Sequence, residues 1–215
     1  MRLDELDQRP LKKIAAHLRL YCMPFLQAIN YELFQYTLWR GLSQQSESDI
    51  FVINCPVNRQ PKDTPIELHT EADNWFKKKT GIAFRSNAFF VTGSYSEAKG
   101  YGSASYNGDQ FGDEFIFIPI GPYSFCWSER IHDFYAMTEG EVDTIYNSYT
   151  GPDLSEKLKE WAEDKLGSGA YQYNTNMKDA IMSQNEIMIH CTKAYFINKK
   201  FQNSLPQIQE LCIRS

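Results

Sequence analysis

The sequence contains no run of about 18 apolar residues, the length a helix needs to cross a bilayer. Near its start stand Asp4, Glu5 and Asp7, where a secretory leader would need a basic opening and an apolar centre. These absences point to a soluble protein of the cytoplasm with no membrane partner. Cysteine is sparse and scattered. Cys22, Cys55, Cys126, Cys191 and Cys212 are odd in number and form no C-x-x-C pair. None combines with His17, His69, His132 or His190 at zinc spacing. Free buried thiols are expected, and no metal. A basic excess is missing too: the net charge is −5 and the lysine cluster is confined to Lys77, Lys78 and Lys79. That argues against a broad nucleic-acid surface, which draws on clustered Lys and Arg. A small nucleotide held by one or two arginines remains compatible with this balance. The phosphate-loop, dinucleotide, nucleophile-elbow and zinc-protease signatures are all absent, as are internal repeats.

What is present suffices for a sizeable core: 215 residues, 42% of them apolar and 14% aromatic. From Leu11, Ile14, Ala15 and Leu18 to Phe25, Ile29 and Leu33 the apolar residues recur at helical spacing, with Pro24 breaking the run into two helices. "LWRGL" and "DIFVINCPV" read as strands. A proline-bearing loop follows, ending at a helix start with Thr64 as N-cap, Pro65 at the first helical position and Glu67 three residues after the cap. That helix carries Trp75 and Phe76 and stops before Gly81.

Beyond it, "AFFVTGS" is a short strand and "SEAKGYG" a helical turn or two. Residues 103–114 form a polar glycine loop, and "FIFIPIGPYSFCWS" is a buried strand bent at Gly121 and Pro122. Residues 129–183 revert to helix, clearest where Leu158, Trp161 and Leu166 line one face and Gly167 fits the position after the end. "QNEIMIHCTKAYFI" is a candidate strand pair, and a short helical tail follows.

The order of three features resembles the arginine, serine, glutamate clade of the ADP-ribosyltransferases. They are Arg40 at a strand end, Thr92-Gly93-Ser94 closing a strand before a short helix, and Gln184-Asn185-Glu186 leading into a late strand. The likeness spans residues 36–197. It is similar also to proteins of tailed phages with "TGS…A…YG" and "NEIM" segments, which would place the protein in the host cytoplasm as a modifier of host molecules. The resemblance implies an α+β fold of split β-sheets around an NAD cleft. Residues 1–35 would be an N-terminal helical segment, 36–200 the transferase-like domain with a helical insertion at about 129–183, and 201–215 a C-terminal tail. The second motif reads Thr-Gly-Ser where the family has Ser-Thr-Ser.

It further implies that NAD is the substrate, that no metal takes part, and that the acceptor is a protein or nucleic acid. Breaking the bond between nicotinamide and ribose develops positive charge on the sugar. A carboxylate at the ribose 2′-hydroxyl therefore favours the transition state over the ground state, and Glu186 takes that role. Arg40 is the phosphate clamp, because a guanidinium fork makes paired charge-assisted hydrogen bonds to phosphate oxygens, and Gly41 gives access. Thr92 and Ser94 orient the ribose and Glu186 through their hydroxyls, and Tyr101 packs on the nicotinamide.

Gln184, two residues before the glutamate, faces the acceptor from the same side of an extended segment. Its amide cannot deprotonate a guanidinium, so arginine acceptors are disfavoured. Each residue also has a plainer role: a snorkelled stem for Arg40, a solvated strand-end carboxylate for Glu186, turn chemistry for Thr92 and Ser94, a core aromatic for Tyr101. Three functions follow from the resemblance. The first is a mono-ADP-ribosyltransferase, the second a catalytically silent binding module of the same fold, and the third an NAD glycohydrolase.

Overall fold

Two stretches of β-branched and aromatic residues become the two long strands on which everything else is placed. The structure is a computed structural model that describes residues 8–42, 48–61, 64–103, 113–138 and 141–214. Along the chain come α1 (Gln8–Tyr21), α2 (Met23–Ala28), β1 (Trp39–Leu42), β2 (Ile50–Asn54), α3 (Ile66–Thr80), β3 (Phe89–Val91) and α4 (Tyr95–Ser103). Then follow β4 (Asp113–Ser128), α5 (Phe134–Thr138), α6 (Glu141–Ser148), α7 (Gly151–Ser168), β5 (Tyr171–Tyr173), α8 (Met177–Ser183), β6 (Ile187–Asn198) and α9 (Leu205–Ile213). The fold is α+β with one open, antiparallel six-stranded sheet.

β4 and β6 pair along most of their length and form the spine. The pairing register shifts between Ile120 and Tyr123, where Gly121 takes φ +71°, a left-handed conformation that a residue without Cβ adopts at little cost. This bulge divides the sheet into two wings. In one, β1 flanks β4 and β2 flanks β6; in the other, β5 flanks β4 and β3 flanks β6. β1 and β3 therefore stand at opposite corners, yet Trp39 and Thr92 exchange both backbone hydrogen bonds, at 2.8 and 3.0 Å. The bulged sheet folds across itself, and this closure brings Arg40 to the end of β3.

Strand periodicity assigns the faces. Phe125, Trp127, Ile187 and Ile189 belong to the larger core with α1, α2, α8 and α9, whereas Cys126 and Met188, one residue out of step, belong to a second core with α3, α5 and α7. Inside the fold, Phe51, Phe89, Phe115, Phe117 and Phe196 pack edge-to-face or stacked. Phe51 is half-buried, and each of the four fully buried rings stabilises by about 1.5–3 kcal/mol through area removed from water.

Several local expectations are revised. The expected split sheets are a single hydrogen-bonded sheet, because β4 and β6 each run unbroken through the bulge; the "QNEIMIHCTKAYFI" segment is likewise the one strand β6. The first helical run breaks at Cys22, and Pro24 lies in the first turn of α2, where its missing N–H costs no hydrogen bond. α3 is capped by Pro65 with no side-chain cap, so the Thr64 box does not form. Gly167 lies within α7, which ends at Gly169: a Cβ there would come within 2.2 Å of the Ile131 side chain. The C-terminal tail is part of the larger core, with Leu205, Ile208 and Cys212 buried. Expected elements do appear at β1, β2, α4 and the Gly81 terminus of α3, which has φ +83°. Of the expected glycine loop, residues 104–112 lie outside the described residues. Cys22, Cys126, Cys191 and Cys212 are buried free thiols and Cys55 is half-buried. No helix among the described residues is long and apolar enough to cross a membrane.

Candidate functional site

Phe90 is the point on which three arginines converge. It lies on β3 opposite Met188 of β6, on the sheet face that carries the second core. Arg40, from β1, donates through Nη1 to the Phe90 carbonyl, while its Nε is buried with no partner. Arg59 places its guanidinium carbon 3.8 Å from the Phe90 ring centroid, and Arg85 places its own at 4.4 Å, also 4.1 Å from the Phe134 ring. Burial pulls Arg40 down to about 10, against the opposing field of Glu186. Arg59 also falls to about 10, through burial first and then the charges of Arg85 and Arg40. Both remain cations at neutral pH.

Two carboxylates oppose these three cations. Glu186 Oε1 accepts from Arg85 Nη1 at 2.8 Å, with the side chains only 14% and 8% exposed. Asp73 of α3 accepts from the backbone N–H groups of Arg85 and Ser86, at 2.7 and 3.2 Å, and so fixes the turn that carries Arg85. His69, one helical turn earlier, is 3.6 Å from Asp73 and 2.9 Å from Ser86 Oγ. Burial, outweighing Asp73, lowers its pKa and keeps it neutral.

The Thr-Gly-Ser segment is built by close backbone approach. A Cβ on Gly93 would sit 1.8 Å from the Ile181 carbonyl oxygen, so only glycine lets α8 reach this turn. Thr92 Oγ1 donates to the Gln184 carbonyl at 2.7 Å and accepts from Ser94 N–H at 3.0 Å. Ser94 Oγ accepts from Glu97 N–H at 3.3 Å, capping α4. The Thr92 hydroxyl thus ties β3 to the segment before Glu186, the Ser94 hydroxyl stays within the start of α4, and neither bonds the Glu186 carboxylate.

Gln184 terminates α8 in the left-handed region, φ +62°, and its side chain is exposed. β6 begins only at Ile187, so strand alternation does not extend back to Gln184, and the expected common side with Glu186 gives way to a helix-terminal turn. Glu186 is placed by its own N–H, which donates to the His132 carbonyl at 2.7 Å.

The structure therefore brings Arg40 and Glu186 into one site, with Thr92 and Ser94 in its supporting turn and Gln184 at its rim. Gly41 is half-exposed and pairs with Glu114 in the β1–β4 ladder. Tyr101 lies in α4, and its side chain is outside the described residues. Arg59, Arg85, Asp73 and Phe90 escaped the sequence reading. Their one signal was a second arginine in an apolar stretch, "IAFRSNAFF", the same anomaly as "LWRGL". His190, on the same face of β6 as Met188, is 2.6 Å from the Asn87 carbonyl oxygen, a structural contact. Among the described residues no group of three or more His, Cys, Asp or Glu could hold a metal ion. A surface groove of about 370 Å³ by Tyr123, Phe125 and Met177 carries no charged side chain.

An excess of guanidinium over carboxylate beside an aromatic ring can bind an anion and bring it against Glu186. In the comparisons with known proteins, no family model, no curated protein and no solved structure matches this chain.

Proposed function

We propose that the protein is a mono-ADP-ribosyltransferase that moves ADP-ribose from NAD to a protein or nucleic-acid acceptor other than arginine. The observation that carries this reading is the meeting of Arg40, from β1, with Glu186, immediately before β6, at the end of β3, although 146 positions of sequence numbering separate them; the field of Glu186 acts on Arg40. NAD brings the scissile bond between nicotinamide and ribose. Arg40 holds the phosphate charge with the buried Nε that lacks a partner. Arg85 fixes Glu186 through Oε1, which leaves Oε2 to accept from the ribose 2′-hydroxyl and to face the positive charge that develops on the sugar. Thr92 and Ser94 support the turn, and Gln184 at the rim offers an amide to the acceptor.

Nicotinamide release and transfer of label from biotinylated NAD to a lysate test the reading. Glu186→Gln should lose a factor on the order of 10² to 10³ in release, the effect of removing one preorganised electrostatic group. Gln184→Ala should keep hydrolysis and lose transfer, since acceptor placement is geometric. Equal release by wild type and Glu186→Gln removes the mechanism.

The Arg85–Glu186 ion pair favours a second reading, because a carboxylate held by a buried guanidinium is also what a catalytically silent module of this kind would contain. Wild type that releases no nicotinamide and shows no thermal shift with NAD decides for it.

A further inference from the structure

The loop that carries Arg59 is pinned in place before any ligand arrives. Arg59 N–H donates to the Ser86 carbonyl at 3.0 Å, Asn58 N–H donates to Asn87 Oδ1 at 3.0 Å, and Ser86 Oγ donates to the Arg59 carbonyl at 3.5 Å. The turn on the other side of these bonds is the one Asp73 fixes, and it carries Arg85. Both guanidinium groups rest on the one Phe90 ring, and Arg40 donates to the carbonyl of the same residue. Arg59 and Arg85 are thus held against one ring by backbone bonds that do not depend on their charges, and Arg40 reaches the carbonyl of the same residue.

Their donors are not used up by the protein. The Arg59 guanidinium makes no hydrogen bond or ion pair with any described residue, and Nε of both Arg40 and Arg85 is buried without an acceptor. Loss of water first, and then repulsion from Arg85 and Arg40, lower the affinity of Arg59 for its proton, so the arrangement costs stability in the absence of an anion. Glu186 answers one donor of Arg85 and Asp73 accepts only from backbone N–H groups, so neither carboxylate satisfies Arg59. The Phe90 ring is a neutral surface against which both guanidinium groups pack, and Phe134 packs on Arg85 as well, so an anion meets them through their N–H edges.

We propose that Arg59 and Arg85, on the floor of Phe90, form a second anion subsite beside Arg40, so that the cleft grips two bridged phosphate groups at once and inorganic pyrophosphate is its smallest ligand. The subsite rests on reading the cleft as a nucleotide site. It extends that reading from one clamp arginine to three, and sets the ligand class as diphosphate esters in preference to monophosphates. Arg59 is the specificity-determining residue, since it alone of the three has no protein acceptor.

Isothermal titration of the full chain with inorganic pyrophosphate and, separately, inorganic phosphate tests this. Pyrophosphate should bind at least about tenfold more tightly than phosphate, the factor one added charge-assisted contact of roughly 1.4 kcal/mol supplies. Arg59→Gln should lose about tenfold or more for pyrophosphate and little for phosphate, while its unliganded melting temperature stays level or rises because a repelling charge is gone. A lost contact of purely structural value would lower that temperature instead. Arg59→Lys, which keeps the charge without the fork, should bind between the two. Equal affinity for the two anions, or unchanged pyrophosphate binding in Arg59→Gln, overturns the subsite. Tight, Arg59-dependent pyrophosphate binding together with no response to NAD upholds it and removes the transferase reading. Nicotinamide release indifferent to Arg59→Gln and to added pyrophosphate removes the subsite and leaves the transferase reading standing.

Discussion

Replacing Arg85 by methionine asks what the buried ion pair is worth. Arg85 and Glu186 touch at 2.8 Å with side chains 8% and 14% exposed, so Arg85→Met leaves a carboxylate that can reach little water. Breaking such a pair on one side costs about 3–5 kcal/mol. The fields of Arg40 and Arg59 still reach Glu186, which places the expected loss at the low end, about 3 kcal/mol. For a chain of this size that is a fall in melting temperature of about 6–12 °C. Glu186→Gln alone should cost a similar amount, because it removes the carboxylate that pairs with Arg85 and whose field acts on Arg40 and Arg59. The double variant should cost about 3 kcal/mol too, since the two losses are the same interaction counted from either side, and this gives a coupling of about 2–3 kcal/mol. Urea unfolding followed by tryptophan fluorescence, with m values compared to confirm one transition, supplies the numbers. A double variant whose loss equals the sum of the single losses would refute the reasoning, because the two side chains would then act independently.

Gly93→Ala should destabilise by about 3 kcal/mol or more, since a backbone oxygen 1.8 Å from the new Cβ cannot rotate away; a melting temperature within 2 °C of wild type, a tolerance of about 1 kcal/mol, contradicts the packing of α8 on the turn. Millimolar NAD should raise the melting temperature of wild type by the equivalent of about 2.7 kcal/mol at a hundredfold excess over Kd. Arg40→Gln should abolish that shift while its unliganded stability changes by no more than about 1 kcal/mol, the loss of one hydrogen bond offset by removal of a desolvated cation. Burial lowers the His69 pKa in the folded chain, so its contribution is fully present above the unfolded value of about 6.5 and is lost as pH falls through the folded value. His132, exposed and raised first by Asn185 and then by Glu97, contributes in the opposite sense, lost as pH rises through its folded value. Denaturant titrations at pH 7 and pH 5 should show wild type weaker at pH 5, and His69→Gln should flatten that slope; an unchanged slope contradicts a neutral buried His69.

Local patterns in the sequence determined much of the architecture. Helical spacing in Leu11, Ile14, Ala15 and Leu18 marks the buried stripe of α1, and the β-branched and aromatic run from Phe115 to Trp127 marks β4. Gly121 marks its bend and Gly81 the end of α3, because each occupies a backbone conformation that side chains disfavour. Arg40 stood out as a charge in an apolar stretch, and Glu186 through its place ahead of a strand. The partners of these two charges were not legible. Arg59 lies on a loop and Arg85 in a turn, positions that carry no periodicity, and their common address at Phe90 exists only because Asp73 on α3 and the bonds from Ser86 and Asn87 hold those segments together. That Gln184 closes a helix instead of opening a strand was likewise not legible: its N–H donates to the Ile181 carbonyl, which lies so close to Gly93 that a Cβ there would collide with it. Periodicity reports which side of an element is buried. Which charges face one another depends on contacts between residues far apart in sequence, here made when the bulge in β4 folds the sheet until Trp39 meets Thr92.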